Sequence, residues 1–231
     1  MVILPRRAAF TILETLVVVA MIVVLAALLL PALASARESA RKSACSSNLR
    51  QVGQAMWMYM DDFGGLLPDR RDLKVPPAGV YRPWTGWPPS DPRCGWASYL
   101  LQPWTSRSDI WSCASVKGRM GTMPQVRQRI EGGQESFYWM WRFDRADELT
   151  PLDVLWGKTV EEAVADLQTA ANPFIGVPDG PSQVELAVDP YFPRTVPGVP
   201  AAARGLAVHF GGCNRLFLDG HVQYLRDGRT G

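Results

Sequence analysis

The chain lacks most of what advertises an enzyme or a nucleic-acid binder. Its 231 residues include only two histidines and four cysteines. No HxH, HExxH or CxxC spacing relates them, so no ordinary zinc site is spelled out. A G-x-S-x-G elbow, a Walker loop and a Rossmann glycine pattern are all missing, which removes the commonest catalytic and nucleotide-binding signatures. Charge of one sign is lacking too. The 24 Lys+Arg against 22 Asp+Glu leave a net charge of +2, without the basic stripe of a nucleic-acid-binding domain or an acidic solvating tail. No repeat of solenoid period occurs. Finally, not one charged residue lies between Thr15 and Ala36.

That uncharged stretch, rich in Leu, Val, Ala, Ile and Met, is long enough to cross a membrane. Two readings compete for it. In the first it is a secretory signal peptide: Arg6 and Arg7 form a positive n-region, and Ala34-Ser35-Ala36 is an A-x-A cleavage site with Pro31 upstream. Cleavage after Ala36 would release a soluble domain. The second reading starts from Glu14, a carboxylate at the head of the apolar run. Such a charge costs roughly 2.5–3.5 kcal/mol at the bilayer centre on insertion scales, and less near the interface. Either it snorkels to the headgroups or it finds a partner. The flanking positive charges, Arg6 and Arg7 against Arg37, Arg41 and Lys42, nearly balance and leave the orientation open.

Residues Ala9-Phe10-Thr11-Ile12-Leu13-Glu14 and the run behind them closely resemble the N-terminus of type IV prepilins and type II secretion pseudopilins. That family has a short basic leader, a cleavage site, then Phe-Thr-Leu-Ile-Glu opening an apolar helix. The resemblance implies cleavage between Ala9 and Phe10 by prepilin peptidase and N-methylation of Phe10. It implies that the Glu14 carboxylate meets the Phe10 amine of a neighbouring subunit during assembly. The family has Gly before the cut where this chain has Ala9. A second resemblance covers His209 to Gly220, with His209 nine residues ahead of Asp219-Gly220. It looks like the H-x9-DG domain of pseudopilin-like proteins abundant in planctomycetes. Cys45 to Ala55 and Ile110-Trp111-Ser112-Cys113 are similar to the same group. The implied setting is a single-pass protein of the bacterial inner membrane, its head in the periplasm, passing into a periplasmic or extracellular fibre. The implied partners are prepilin peptidase and other pilin or pseudopilin subunits, met through the N-terminal helix, with no nucleic acid.

Past the apolar run, Cys45, Leu49, Val52, Met56, Tyr59 or Met60, and Phe63 recur at steps of three or four, the period of an amphipathic helix. The pattern predicts one helix from about Phe10 to about Asp62, kinked or locally melted at Pro31 and stopped by Gly64-Gly65. The expected fold is α+β and pilin-like: this long helix packed on a small head with a C-terminal antiparallel sheet. The expected organisation is a leader over 1–9, a membrane and assembly half over 10–36, an amphipathic half over 37–63 and a head over 64–231.

In the head, prolines crowd residues 76–103 and 173–200, and all nine tryptophans lie between Trp57 and Trp156. Trp84, Trp87, Trp96 and Trp104 are candidates for a polysaccharide-binding face, weighed against plain core packing of large aromatics. Thr159 opens a short helix over 159–171. Near the C-terminus, strands are expected at Leu206–Phe210, Asn214–Leu218 and His221–Leu225. Turns at Gly211-Gly212 and Asp219-Gly220 would join them, the latter a type I′ turn. His209, Asp219 and His221 are metal-ligand types, but their spacing matches no known site. A calcium site of loop carboxylates is compatible with the composition, yet no EF-hand-like string marks one. No cofactor is therefore expected. Four cysteines allow three full pairings. Cys94–Cys113 is the preferred bridge, both lying in the loop-rich half; its loop of about twenty residues is worth on the order of 3 kcal/mol. Together these features predict a structural, non-enzymatic pseudopilin-like subunit. The alternative is a secreted binding protein, cut after Ala36, whose tryptophan-rich head binds polysaccharide.

Overall fold

The computed structural model describes residues 11–74, 87–88, 90–105, 107–129, 135–143, 152–172 and 176–230. Ala9, Phe10 and Trp84 lie outside these residues. The chain divides into two compact units, residues 1–40 and 41–231. Helix α1 (Ile12–Asp62) begins in the first and ends in the second. Pro31 lies inside it, and the residues on both sides of it are helical. In the first unit the apolar side chains from Ile12 to Leu33 are exposed.

From Cys45 onward α1 becomes the spine of the head. Cys45, Leu49, Val52, Ala55, Met56, Tyr59 and Met60 are buried, the stripe that the three-four spacing requires. Phe63 departs from it: it is about half exposed, stacking on Tyr59 with ring centroids 4.4 Å apart. The helix ends as its glycines dictate. Gly64 takes φ +67°, and the Gly65 N–H donates to the Met60 carbonyl at 2.7 Å, the long bond of a Schellman cap.

Three short α-helices follow among the described residues: α2 (Gly95–Leu100), α3 (Ala114–Arg119) and α4 (Val160–Ala170). Thr159 and Glu162 form a reciprocal capping box at the start of α4, which accounts for the clean boundary there. Strands β1 (Gln128–Arg129) and β2 (Glu135–Ser136) make a small antiparallel ribbon. Strands β3 (Glu185–Val188), β4 (Gly212–Phe217) and β5 (Val222–Arg226) form an antiparallel sheet in that spatial order. The fold is thus α+β, with the long N-terminal helix packed on a head carrying antiparallel sheets.

The close approach of α1 to the sheet is made at Gly53. A Cβ there would lie 2.8 Å from Leu216 Cδ1 on β4, so the glycine leaves room for the Leu216 side chain between helix and strand. Four of the described tryptophans, Trp96, Trp111, Trp139 and Trp156, are buried in the core, as plain packing predicts. Trp96, Trp111 and Trp139 are fully buried, and Trp96 packs on Phe143 and Trp156 with centroids 5.0 and 4.9 Å away. Trp87 is partly buried against Trp141 and Tyr191. Trp104 turns its edge to Tyr59 and donates from Nε1 to Asp62 Oδ2 at 2.7 Å. The described tryptophans among the four polysaccharide candidates therefore make no shared platform. The irregular segments are tied from inside by Arg93, paired with Asp91 at 2.7 Å with both side chains buried and also donating to the Pro124 and Arg127 carbonyls. A buried cation persists only with such partners.

Two expectations for the C-terminal region need correction. The first strand of the sheet is β3 rather than Leu206–Phe210. Residues 206–210 make only isolated bridges, Ala207 to Tyr191 and His209 to Gly212. Val188 and its neighbours reach β4 first, so β4 already has a partner on each side. The β4–β5 turn is also not type I′. Gly220 has φ +89°, but Asp219 is not among the positive-φ residues. Gly220 N–H donates to the Phe217 carbonyl and Phe217 N–H to the His221 carbonyl, each at 2.9 Å. This is a three-residue loop closed by a left-handed glycine, a form that needs positive φ at one position only.

Candidate functional site

Two places carry the chemistry that the sequence singled out, one in each unit. At the start of α1, Thr11 and Glu14 form a capping box. Glu14 Oε2 accepts from the Thr11 backbone N–H and from Thr11 Oγ1, each at 2.8 Å, while Glu14 N–H donates to Thr11 Oγ1 at 3.2 Å. The first turn of a helix leaves backbone donors unmatched, and this arrangement satisfies two of them. Within its own chain, then, Glu14 has a structural duty besides any role toward a neighbour. The spacing Thr11-x-x-Glu14 is itself a capping signature, and it was the signal available for finding Thr11. Behind it, α1 is long and apolar enough to cross a membrane, with a mean hydropathy of 3.1 over its most apolar 18-residue window, none of which is buried.

The second place is a buried polar cluster in the head. Cys45 on α1 forms a disulfide with Cys113, 68 residues on, just before α3. The expected Cys94–Cys113 bridge is thereby corrected. The helical register turns Cys45 inward, and Asn48, one turn later, donates to the Ser112 carbonyl at 3.0 Å, holding α1 against the segment that carries Cys113. Cys94 instead precedes α2 as a free, buried thiol, with Sγ 2.7 Å from Ser136 Oγ. Burial pushes its pKa up to about 11, and that of the free Cys213 up to about 12, so both thiols stay protonated and inert.

His209 lies beside the disulfide. Its Nε2 is 3.9 Å from Cys113 Sγ and 3.5 Å from Asp189 Oδ2, and all three side chains are buried. Asp189 follows β3, and its Oδ2 accepts from the Asn214 backbone N–H at 3.0 Å and from Asn214 Nδ2 at 2.9 Å. Its other oxygen, Oδ1, has no hydrogen-bond partner among the described residues. Burial drives the carboxyl up to about 6, against the opposing pull of His209 and the Asn214 bonds. Nothing in the sequence around Asp189 hints at this; it is found only because β3 and β4 pair.

The H-x9-DG pattern now has a geometric meaning. His209 opens a turn in which the Gly212 N–H donates to the His209 carbonyl at 3.2 Å and Gly211 takes φ +72°. Strand β4 follows, and Asp219-Gly220 makes the next turn. The nine intervening residues are one turn, one six-residue strand and the start of another turn. The structure therefore does not bring His209 together with Asp219 and His221. They stand at opposite ends of β4, about 17 Å of extended chain. Asp219 pairs with His221 on the surface, Oδ1 to Nδ1 at 2.6 Å, and the His221 ring stacks on Phe217 at 4.4 Å. Gly220 faces Trp57 of α1, where an added Cβ would lie 3.3 Å from Nε1.

A family model described as SBP_bac_10, a protein of unknown function (DUF1559), matches residues 34–128. The similarity covers less than half of the chain. It takes in Cys45 and Cys113 but stops short of the His209–Gly220 pattern and begins beyond Glu14. No curated protein and no solved structure matches the chain.

Proposed function

We propose that this chain is a pseudopilin-like structural subunit. On this reading prepilin peptidase cuts between Ala9 and Phe10, the exposed apolar stretch of α1 lodges in the bacterial inner membrane with the head outside, and the same stretch then packs against its counterparts in a type IV pilus or type II secretion fibre. The observation that carries the reading is one uninterrupted helix of 51 residues: apolar and exposed to Leu33, yet the buried spine of a head from Cys45 onward. A free-standing enzyme has little use for such a helix, and the chain is accordingly read as non-enzymatic. One observation favours the rival reading of a secreted head: the second compact unit begins at Arg41, so cleavage after Ala36 would leave it whole.

The capping box supplies a discriminating experiment. Gln fits the third helical position of a capping box as well as Glu does. Glu14→Gln therefore keeps the helix start and removes only the charge offered to a neighbour's Phe10 amine. Leaving one member of a desolvated ion pair unmatched typically costs about 3–5 kcal/mol. Co-expressed with the assembly machinery, the Gln variant is expected to be cleaved and inserted normally but to lose most of its sheared fibre fraction. Normal fibre yield would contradict the pairing role and leave Glu14 as a capping residue alone.

A further inference from the structure

We propose that Cys45, Cys113, His209 and Asp189 form a zinc site when the disulfide is reduced, so that one buried cluster holds either a disulfide bond or a metal ion. The inference does not depend on the assembly reading.

Geometry comes first. The two sulfurs and a ring nitrogen of His209 all lie within 4.8 Å of one another. Zinc bonds of about 2.3 Å to sulfur and about 2.0–2.1 Å to nitrogen and oxygen, at tetrahedral angles, place nitrogen about 3.5 Å from sulfur and about 3.3 Å from oxygen. His209 Nε2 already stands 3.9 Å from Cys113 Sγ, and it is 3.5 Å from Asp189 Oδ2, the oxygen that Asn214 holds; the oxygen left to bind the metal is the other one, Oδ1. The sulfurs must separate to about 3.8 Å, which thiolates do once their bond is gone, and Asp189, which stands outside the 4.8 Å group of two sulfurs and imidazole nitrogen, must turn toward them to become the fourth ligand.

The second observation is independent of the cysteines. Asp189 is fully buried, yet Oδ1 has no partner among the described residues. A buried carboxylate oxygen without a donor is costly in any fold that gives it no cation. Asn214 holds the other oxygen from behind with two bonds, as the supporting residues of metal-ligating carboxylates do. Two cysteines, one histidine and one carboxylate are all zinc-ligand types, and together they complete a tetrahedral four-coordinate set.

The chemistry balances. A dithiol reductant passes two electrons and two protons to the disulfide, becoming a disulfide itself and leaving two thiols. Zinc binding then displaces both thiol protons to solvent, with His209 offering Nε2 and keeping its proton on Nδ1. An oxidant of the disulfide class withdraws two electrons, restores the Cys45–Cys113 bond and expels the ion.

The test uses the full chain in detergent, reduced with a dithiol, freed of it under anaerobic conditions and titrated with cobalt(II) as a spectroscopic stand-in for zinc. The expected result is one cobalt per chain, with tetrahedral visible absorption and a thiolate-to-cobalt charge-transfer band, both erased by equimolar zinc. The oxidised chain should take up none. Cys94→Ser with Cys213→Ser should leave the spectrum intact, Cys113→Ser should abolish it, and His209→Ala should weaken binding at least tenfold. The proposal is overturned if the reduced chain shows no such spectrum, or if the spectrum survives Cys113→Ser. It is equally overturned if the reduced chain loses its tryptophan near-ultraviolet circular dichroism and zinc fails to restore it.

Discussion

Gly220 shows how one residue can be fixed by two constraints at once. Its φ of +89° belongs to a region that side chains with a branched Cβ avoid, and its free face looks onto Trp57 Nε1 and Cδ1 at 3.3 and 3.5 Å from an added Cβ. Gly220→Val should therefore destabilise the head by about 1–3 kcal/mol, the usual cost of a strained backbone position. Gly220→Asn should cost less, because Asn tolerates the left-handed region. Denaturant unfolding of the two variants checks this, and equal midpoints for Val and wild type would refute it. Gly212 is constrained differently: a Cβ there would run into the Leu225 carbonyl oxygen of β5, so its smallness serves the strand pairing itself. The glycines of the C-terminal pattern are accordingly explained by turns and close approach alone. His209 is not, since its buried ring faces Asp189 and the disulfide rather than the turn it opens.

Among the elements, α1 and the segment before α3 are joined by a covalent staple. The Cys45–Cys113 bond closes a loop of 68 residues, which in the chain-entropy model contributes about 4 kcal/mol. Reduction in the presence of a chelator should lower the unfolding free energy of the head by roughly that amount, with Cys45→Ser matching reduced wild type. A reduced chain as stable as the oxidised one would contradict the staple. The longest elements were the most legible. The 3.6-residue periodicity located α1 and its glycine stop, and Thr159 located α4. The disulfide was not legible, because loop length favours no pairing once a helix can carry one cysteine to the far side of the head. The strand at 206–210 was misplaced because alternating apolar residues mark a segment fit for a sheet without naming its neighbour. That choice went to β3, whose partner residues lie 27 or more positions away in sequence.

For the molecule as a whole, the two units carry different kinds of information. The first is read largely from its sequence, as an apolar helix without charge from Thr15 to Ala36; the cap that Thr11 makes with Glu14 is seen only in the structure. The second owes its arrangement to contacts that no local pattern records, namely Asp189 with His209, Gly53 with Leu216, and Arg93 with the loops around it. The central claim concerns what becomes of the first unit. It is tested most directly by the mass of the mature chain, produced together with prepilin peptidase and measured intact. The expected mature chain begins at Phe10 with a single methyl group on its amine and retains all of α1. A mature chain beginning at Arg37 would contradict it, marking residues 1–36 as a discarded signal peptide and the head as a secreted protein.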